Sequence, residues 1–128
     1  MKKILIVEDY ADIANIYKFL LEKRDYKVEV AKNGREALDK AKSFAPDVVL
    51  LDIMIPDIDG LQVLKTIRTS PDYADNQPAV LITSNVLQQD ISDKAALNGA
   101  DGYVVKAKLE NNELVKTIEE LLEKRANA

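Results

Sequence analysis

Five polar side chains stand directly behind short apolar runs: Glu8 and Asp9 after Lys3–Val7, Asp52 after Val48–Leu51, Thr83 after Ala79–Ile82, and Lys106 after Gly102–Val105. The chain has no His and no Cys, which removes the commonest general base, the commonest transition-metal ligand and any thiolate nucleophile. Carboxylates, lysine and hydroxyls remain. Three carboxylates drawn together raise one another's pKa unless a cation intervenes. A hard, oxygen-bound ion suits them, and Mg²⁺ suits them best, since it takes one or two carboxylates and keeps several waters. An open coordination position would then accept a phosphate oxygen. Thr83 offers a neutral hydroxyl and Lys106 a point charge, both better matched to a phosphoryl group than to a carbonyl substrate.

This chemistry requires elements that bring those residues to one edge. Five apolar runs alternate with amphipathic stretches, the pattern of a parallel sheet covered by helices. The second run, Lys27–Ala31, alternates with period two and reads as an edge strand; the other four are nearly continuous, as in strands buried on both faces. Helical spacing links Ile13, Ile16, Tyr17, Leu20 and Leu21, then Ala37, Leu38, Ala41 and Phe44, then Leu61, Leu64 and Ile67. Two further stripes are Ile91, Ala95 and Leu97, and Leu114, Ile118, Leu121 and Leu122. Pro46 stops the second helix, Asp59 caps the third, and Gly99 closes the fourth in a left-handed conformation. Thr69 to Gln77 is the longest loop.

The reading is one α/β domain over residues 1–128, a (βα)5 unit without repeats or linkers. Right-handed crossovers restrict its winding, and the length argues against a closed barrel. That leaves a doubly wound, five-stranded parallel sheet of order 2-1-3-4-5, with its ligand site beyond the carboxyl ends of the strands. Strands 1 and 3 are then neighbours, and Glu8, Asp9 and Asp52 meet in one crevice. Singly, each residue has a plainer explanation. Glu8-Asp9 would serve as a cap for the first helix, Asp52 as a turn residue, and Lys106 as a solvated charge. Asp57 and Asp59, beside Pro56 and Gly60, would serve the loop and the next cap. The functional reading rests on their coincidence along one sheet edge.

At these residues the chain resembles the receiver domains of two-component response regulators, in the single-domain manner of the chemotaxis regulators, with their flavodoxin-like fold. Pro46-Asp47-Val48-Val49-Leu50-Leu51-Asp52-Ile53-Met54-Ile55-Pro56, ending in Asp59-Gly60, resembles the phosphoacceptor strand and its loop. Ile4-Leu5-Ile6-Val7-Glu8-Asp9 resembles the acidic pair, and Val80-Leu81-Ile82-Thr83-Ser84 the hydroxyl switch strand. Gly99-Ala100-Asp101-Gly102-Tyr103 followed by Lys106 resembles the aromatic switch and lysine segment. The match runs from end to end in order and spacing.

The resemblance implies roles. Asp52 accepts a phosphoryl group from a histidine kinase or phosphotransfer protein. Asp9, Asp52 and the main-chain carbonyl of Met54 bind Mg²⁺, with Glu8 acting through a water. Lys106 pairs with the phosphoryl oxygens, Thr83 moves toward the phosphorylated site, and Tyr103 turns into the vacated space. A surface of helix 4, strand 5 and helix 5 is then read by a downstream protein. The family usually has Pro after this lysine, joined by a cis peptide; here Ala107 follows. A cis bond before a non-proline residue costs about 3 kcal/mol, so a trans link or rebuilt loop is expected. Ser84 stands where Ala is frequent, and its small size preserves access to Asp52.

Other functions fit less well. A haloacid-dehalogenase-like phosphatase carries a second Asp two residues after its nucleophile, where this chain has Met54, and no cap domain fits. Nucleotide or flavin binding needs a Gly-rich phosphate loop, whereas the first strand leads into Glu8-Asp9-Tyr10. A pseudo-receiver that binds without phosphorylation is the alternative, with Ala107 its one supporting feature. The protein is expected to be a switch rather than a turnover enzyme. With a net charge of −4 and no basic block, no nucleic-acid partner is expected. Met1-Lys2-Lys3 and its short apolar run are cut off by Glu8-Asp9, which excludes a signal peptide; no segment spans a bilayer, and a cytoplasmic location is expected. The chain ends soon after the fifth helix, as a stand-alone regulator or as a piece of a larger protein.

Overall fold

The computed structural model describes residues 1–85, 88–106 and 111–127, leaving aside the side chains of Asn111 and Asn112. Ala107, and with it the expectation about its peptide link, lies outside the described residues. In chain order the elements are β1 (Lys3–Val7), α1 (Ala11–Glu22), β2 (Lys27–Ala31), α2 (Gly34–Ser43), β3 (Val48–Asp52) and α3 (Gly60–Thr69). A 3-10 turn (Pro71–Tyr73), β4 (Ala79–Ser84), α4 (Gln89–Leu97), β5 (Gly102–Val105) and α5 (Asn111–Ala126) complete the chain. The strands form one parallel sheet in the order β2-β1-β3-β4-β5, the doubly wound arrangement read from the sequence.

Strand alternation sorts the apolar residues into two cores, one on each face. Leu5, Val7, Val49, Leu51, Val80 and Ile82 pack under α2, α3 and α4, through Ala37, Ala41, Val63, Leu64, Ile67 and Ala95. Ile4, Ile6, Val48, Leu50, Ala79 and Leu81 pack under α1 and α5, through Ala14, Leu21, Leu114, Val115 and Ile118. Three strands, β1, β3 and β4, are buried on both faces. β5 is not. It closes the other edge of the sheet, and all four of its residues are half-buried, because a terminal strand has a neighbour on one side only.

Two helical stripes also differ. Ile16 is 54% exposed and Leu97 is 86% exposed, whereas Ala14 and Ala95 are buried. Each exposed residue lies two positions beyond a buried alanine, about 200° around the helix. The small alanines let α1 and α4 approach the sheet, and the larger residues face away. The remaining punctuation behaves as read. Asp59 accepts from the Gln62 amide as the α3 cap, and Gly99 ends α4 with φ +96°. Between Thr69 and Gln77 the chain makes the 3-10 turn, which buries Tyr73 and places its hydroxyl 3.0 Å from the Leu38 carbonyl, to which it donates.

Candidate functional site

β1 and β3 are adjacent, with Val7 opposite Leu51, so the residues leaving their carboxyl ends emerge side by side. Oxygens of Glu8, Asp9 and Asp52 all lie within 4.8 Å of one another. They open into a cleft of about 420 Å³ that is also lined by Tyr10, Ile13, Met54, Asn85 and Lys106. Lys106, at the end of β5, crosses to this point. Its ammonium donates to Asp52 Oδ2 at 2.9 Å and makes a short contact with Glu8 Oε1.

Local folding fixes each group. Asp52 is the last residue of β3, and its Oδ1 accepts from the Met54 amide at 3.0 Å. Glu8 holds its own place twice: its amide donates to the Ala31 carbonyl, and its Oε2 accepts from the Tyr10 amide at 3.2 Å. The acidic pair does not cap α1, whose cap position is Tyr10 without a side-chain bond. Below the cleft, Gly60 lets α3 sit against β3. A Cβ there would lie 2.6 Å from the Asp52 carbonyl oxygen and 2.7 Å from the Ile53 Cα.

The electrostatics arise from three acids and one base. Glu8 and Asp52 are buried and Asp9 is exposed. Burial pushes the Glu8 carboxyl above its ordinary value; hydrogen bonding and attraction from Lys106 work against this, and the Asp52 charge adds to it. Burial also pulls on Lys106, but its hydrogen bonds to Glu8 and Asp52 outweigh that cost and raise it, so it remains an ammonium. Glu8 is thus raised chiefly by its burial, and Lys106 by its two carboxylate partners.

Such a cluster suits a divalent cation. Its donors are all oxygens, as Mg²⁺ prefers, and they are gathered within 4.8 Å of one another. Both oxygens of Glu8 already accept a hydrogen bond, from Lys106 and the Tyr10 amide, as do both of Asp52, from Lys106 and the Met54 amide, and Asp9 is the exposed carboxylate of the three.

The structure thus brings Glu8, Asp9, Asp52, Met54 and Lys106 into one cleft. Thr83 is in register with Asp52 and buried, and its carbonyl accepts from the Ile53 amide at 3.2 Å. Tyr103 is in register with Ile82, half-buried, and lines a separate cavity of about 160 Å³ with Ser92, Ala95 and Ala100. Sequence reasoning missed Asn85, which lines the cleft two residues beyond Thr83; the β4 register that carries the chain past Thr83 was the available signal. It also assigned Asp57 to its own loop, whereas that carboxylate reaches the amides of Gly34 and Arg35 on α2.

A family model of the response regulator receiver domain matches residues 4–119. The chain belongs to this family. Receiver domains are regulatory switches of two-component systems. Among curated relatives, this receiver domain is 40% identical over 108 residues to the response regulator ArlR of Staphylococcus saprophyticus, covering 83% of this chain and 46% of that protein. It is 36% identical over 106 residues to the transcriptional regulatory protein TrcR of Mycobacterium tuberculosis, covering 81% of this chain and 39% of that one. The chain therefore spans less than half the length of these relatives. Among solved structures, the CheY-like response regulator receiver domain of Methanospirillum hungatei superposes with a TM-score of 0.89 at 27% identity, over 99% of this chain and 98% of that one. A signal receiver domain from Bermanella marisrubri gives 0.84 at 32% identity, over 94% and 97%. No helix among the described residues is long and apolar enough to cross a membrane.

Proposed function

We propose that this receiver domain is a Mg²⁺-dependent phosphorylation switch whose acceptor is Asp52. The observation that carries the reading is Lys106, whose ammonium bridges Glu8 and Asp52 inside a cleft holding three carboxylates. Asp52 is the acceptor of choice among the three. It sits at the end of β3 on the cleft wall, one oxygen steadied by the Met54 amide and the other by Lys106. Asp9, Asp52 and the Met54 carbonyl would hold the ion, with Glu8 reaching it through water. When bound, Mg²⁺ supplies charge that lets a phosphoryl group approach the acids and that shares its developing negative charge.

In the reaction, an Asp52 carboxylate oxygen bonds to phosphorus as the bond from phosphorus to the imidazole nitrogen of a kinase phosphohistidine breaks. The nitrogen leaves with the bonding pair. Lys106 tracks the new phosphoryl oxygens, which releases Glu8 from part of its contact. Thr83, one strand over in register, would turn its hydroxyl toward those oxygens, and Tyr103 would turn into the space that movement vacates. The surface of α4, β5 and α5 would change with them and be read by a downstream protein. Hydrolysis of the aspartyl phosphate resets the switch, so the domain acts once on itself rather than turning over an external substrate.

The test is incubation with a small phosphodonor and Mg²⁺, then intact mass and peptide mapping. A phosphoryl mass on Asp52 that requires Mg²⁺ and disappears in Asp52→Asn supports the switch. Rapid turnover of many phosphate esters would indicate a phosphatase, and no mass gain under any condition a phosphorylation-independent binding module.

A further inference from the structure

The loop from Ile53 to Asp59 carries Met54, so whatever anchors this loop also sets the oxygen that Met54 offers. One anchor is Gly60, whose amide donates to the Ile53 carbonyl at 3.0 Å. The second is less expected. Asp57 has a left-handed backbone, φ +67°, a conformation that Asp tolerates better than most residues. From that turn its carboxylate reaches the start of α2. Asp57 Oδ1 accepts from the Gly34 amide at 2.7 Å, Oδ2 from the Arg35 amide at 3.2 Å, and Oδ1 also from the Ile58 amide.

Gly34 and Arg35 carry the first two amides of α2, which a helix cannot satisfy internally. The third, of Glu36, is taken by the α2 cap residue Asn33 at 2.9 Å. α2 therefore has a cap of its own, and α3 has Asp59. The Asp57 bonds tie two separate segments together, and the contact is close: a Cβ on Gly34 would lie 2.7 Å from the Ile58 Cβ and carbonyl oxygen.

We infer that Asp57 is a positioning residue for ion binding: its carboxylate latches the Met54 loop onto the start of α2 and thereby sets the Met54 carbonyl. The inference rests on the reading of the cleft as a Mg²⁺ and phosphoryl site. By linkage, an ion that orders the loop must also tighten the latch, and loss of the latch must weaken the ion by the same factor. Residues that orient a metal's ligands commonly change affinity by about 10- to 100-fold. A latch one step removed, acting on a carbonyl ligand, should have an effect at or below the low end of that range.

Three proteins decide the matter: wild type, Asp57→Gly and Asp57→Asn, all as the full chain. Glycine keeps the left-handed turn and deletes the latch; asparagine keeps one acceptor oxygen and removes the charge. The readouts are amide hydrogen exchange at Gly34 and Arg35 with and without Mg²⁺, and phosphorylation rate by a small phosphodonor across a Mg²⁺ titration. In the wild type, Mg²⁺ should slow exchange at both amides. In Asp57→Gly the Mg²⁺ half-saturation should rise about three- to tenfold, with the rate at saturating Mg²⁺ within about twofold of wild type, and Asp57→Asn should fall between. A purely structural Asp57 would lower the unfolding midpoint and leave half-saturation unmoved, which overturns the inference. So would exchange at Gly34 and Arg35 that ignores Mg²⁺. A wild type that takes up neither Mg²⁺ nor phosphoryl group overturns the functional reading itself, and this inference with it.

Discussion

Replacing Lys106 with Met keeps the reach of the side chain and removes its charge. The side chains of Lys106, Glu8 and Asp52 are 8%, 3% and 8% exposed, so two carboxylates would be left facing each other with little water. Breaking a buried pair by removing one partner costs about 3–5 kcal/mol. Here the loss has a ceiling, because Glu8 can take up a proton instead. From its ordinary value of 4.5, protonation at pH 7 costs about 3.4 kcal/mol, at about 1.4 kcal/mol for each pH unit. At pH 5 the same ceiling is about 0.7 kcal/mol. Linkage gives the sign. A carboxyl whose folded pKa lies above its unfolded one binds its proton more tightly when folded, so its contribution is fully present below the unfolded value and is lost as pH rises through the folded value. The deficit of Lys106→Met relative to wild type should thus be about 2–3 kcal/mol at pH 7 without divalent ions and shrink below about 1 kcal/mol at pH 5. Saturating Mg²⁺ should narrow it again by supplying the missing charge. Urea unfolding monitored by circular dichroism, with both proteins at both pH values, measures this directly. A deficit that is equal at the two pH values, or larger at pH 5, would refute the charge argument.

Other perturbations probe separate parts of the account. Gly60→Ala gains about 1 kcal/mol of helix propensity but must push α3 off the backbone of Asp52 and Ile53; a net loss of about 2 kcal/mol in urea is expected, with slower phosphorylation. Arg68 donates to the carbonyls of Gly99 and Pro78 and to the side chains of Gln77 and Asp101 at 2.8–3.1 Å, far from the cleft. Arg68→Ala should lose about 2 kcal/mol in a thermal melt while phosphorylation at Asp52 stays within about twofold. Desolvation lifts the Asp57 carboxyl, yet the amides of Ile58, Gly34 and Arg35 outweigh it and hold it below its ordinary 3.8. A depressed carboxyl stabilises above its unfolded pKa and ceases to as pH falls through the folded one, so the gap in urea midpoint between wild type and Asp57→Asn should close in acid below about pH 4.

Much of the fold and site was legible because a parallel sheet enforces a simple rule: apolar runs are strands, and the residues just after them share one edge of the sheet. Glu8, Asp9, Asp52 and Lys106 were found that way, and the order 2-1-3-4-5 made β1 and β3 neighbours. Each miss has its own physical cause. Ile16 and Leu97 outrank Ala14 and Ala95 in hydrophobicity, but close approach of helix to sheet favours the smaller residue, which periodicity alone does not weigh. β5 reads as apolar as the central strands, and only its place at the sheet edge leaves it half-buried. Asp57 beside Pro56 and Asp59 looks like ordinary loop chemistry; its bond to α2 depends on a left-handed turn and on Gly34, a residue more than twenty positions away. Asn85 enters the cleft because β4 runs on through Ser84, two residues past the apolar run.

The central claim is that Asp52 carries the phosphoryl group beside an ion shared with Asp9, within reach of Lys106. A crystal structure of the protein grown with Mg²⁺ and beryllofluoride, a mimic of the phosphoryl group, tests it most directly. The account predicts the fluoride adduct on an Asp52 oxygen, a metal about 2.1 Å from oxygens of both Asp9 and Asp52, and the Lys106 ammonium hydrogen-bonded to the adduct. An unmodified Asp52, with the ion bound elsewhere or the three carboxylates turned apart, would contradict it.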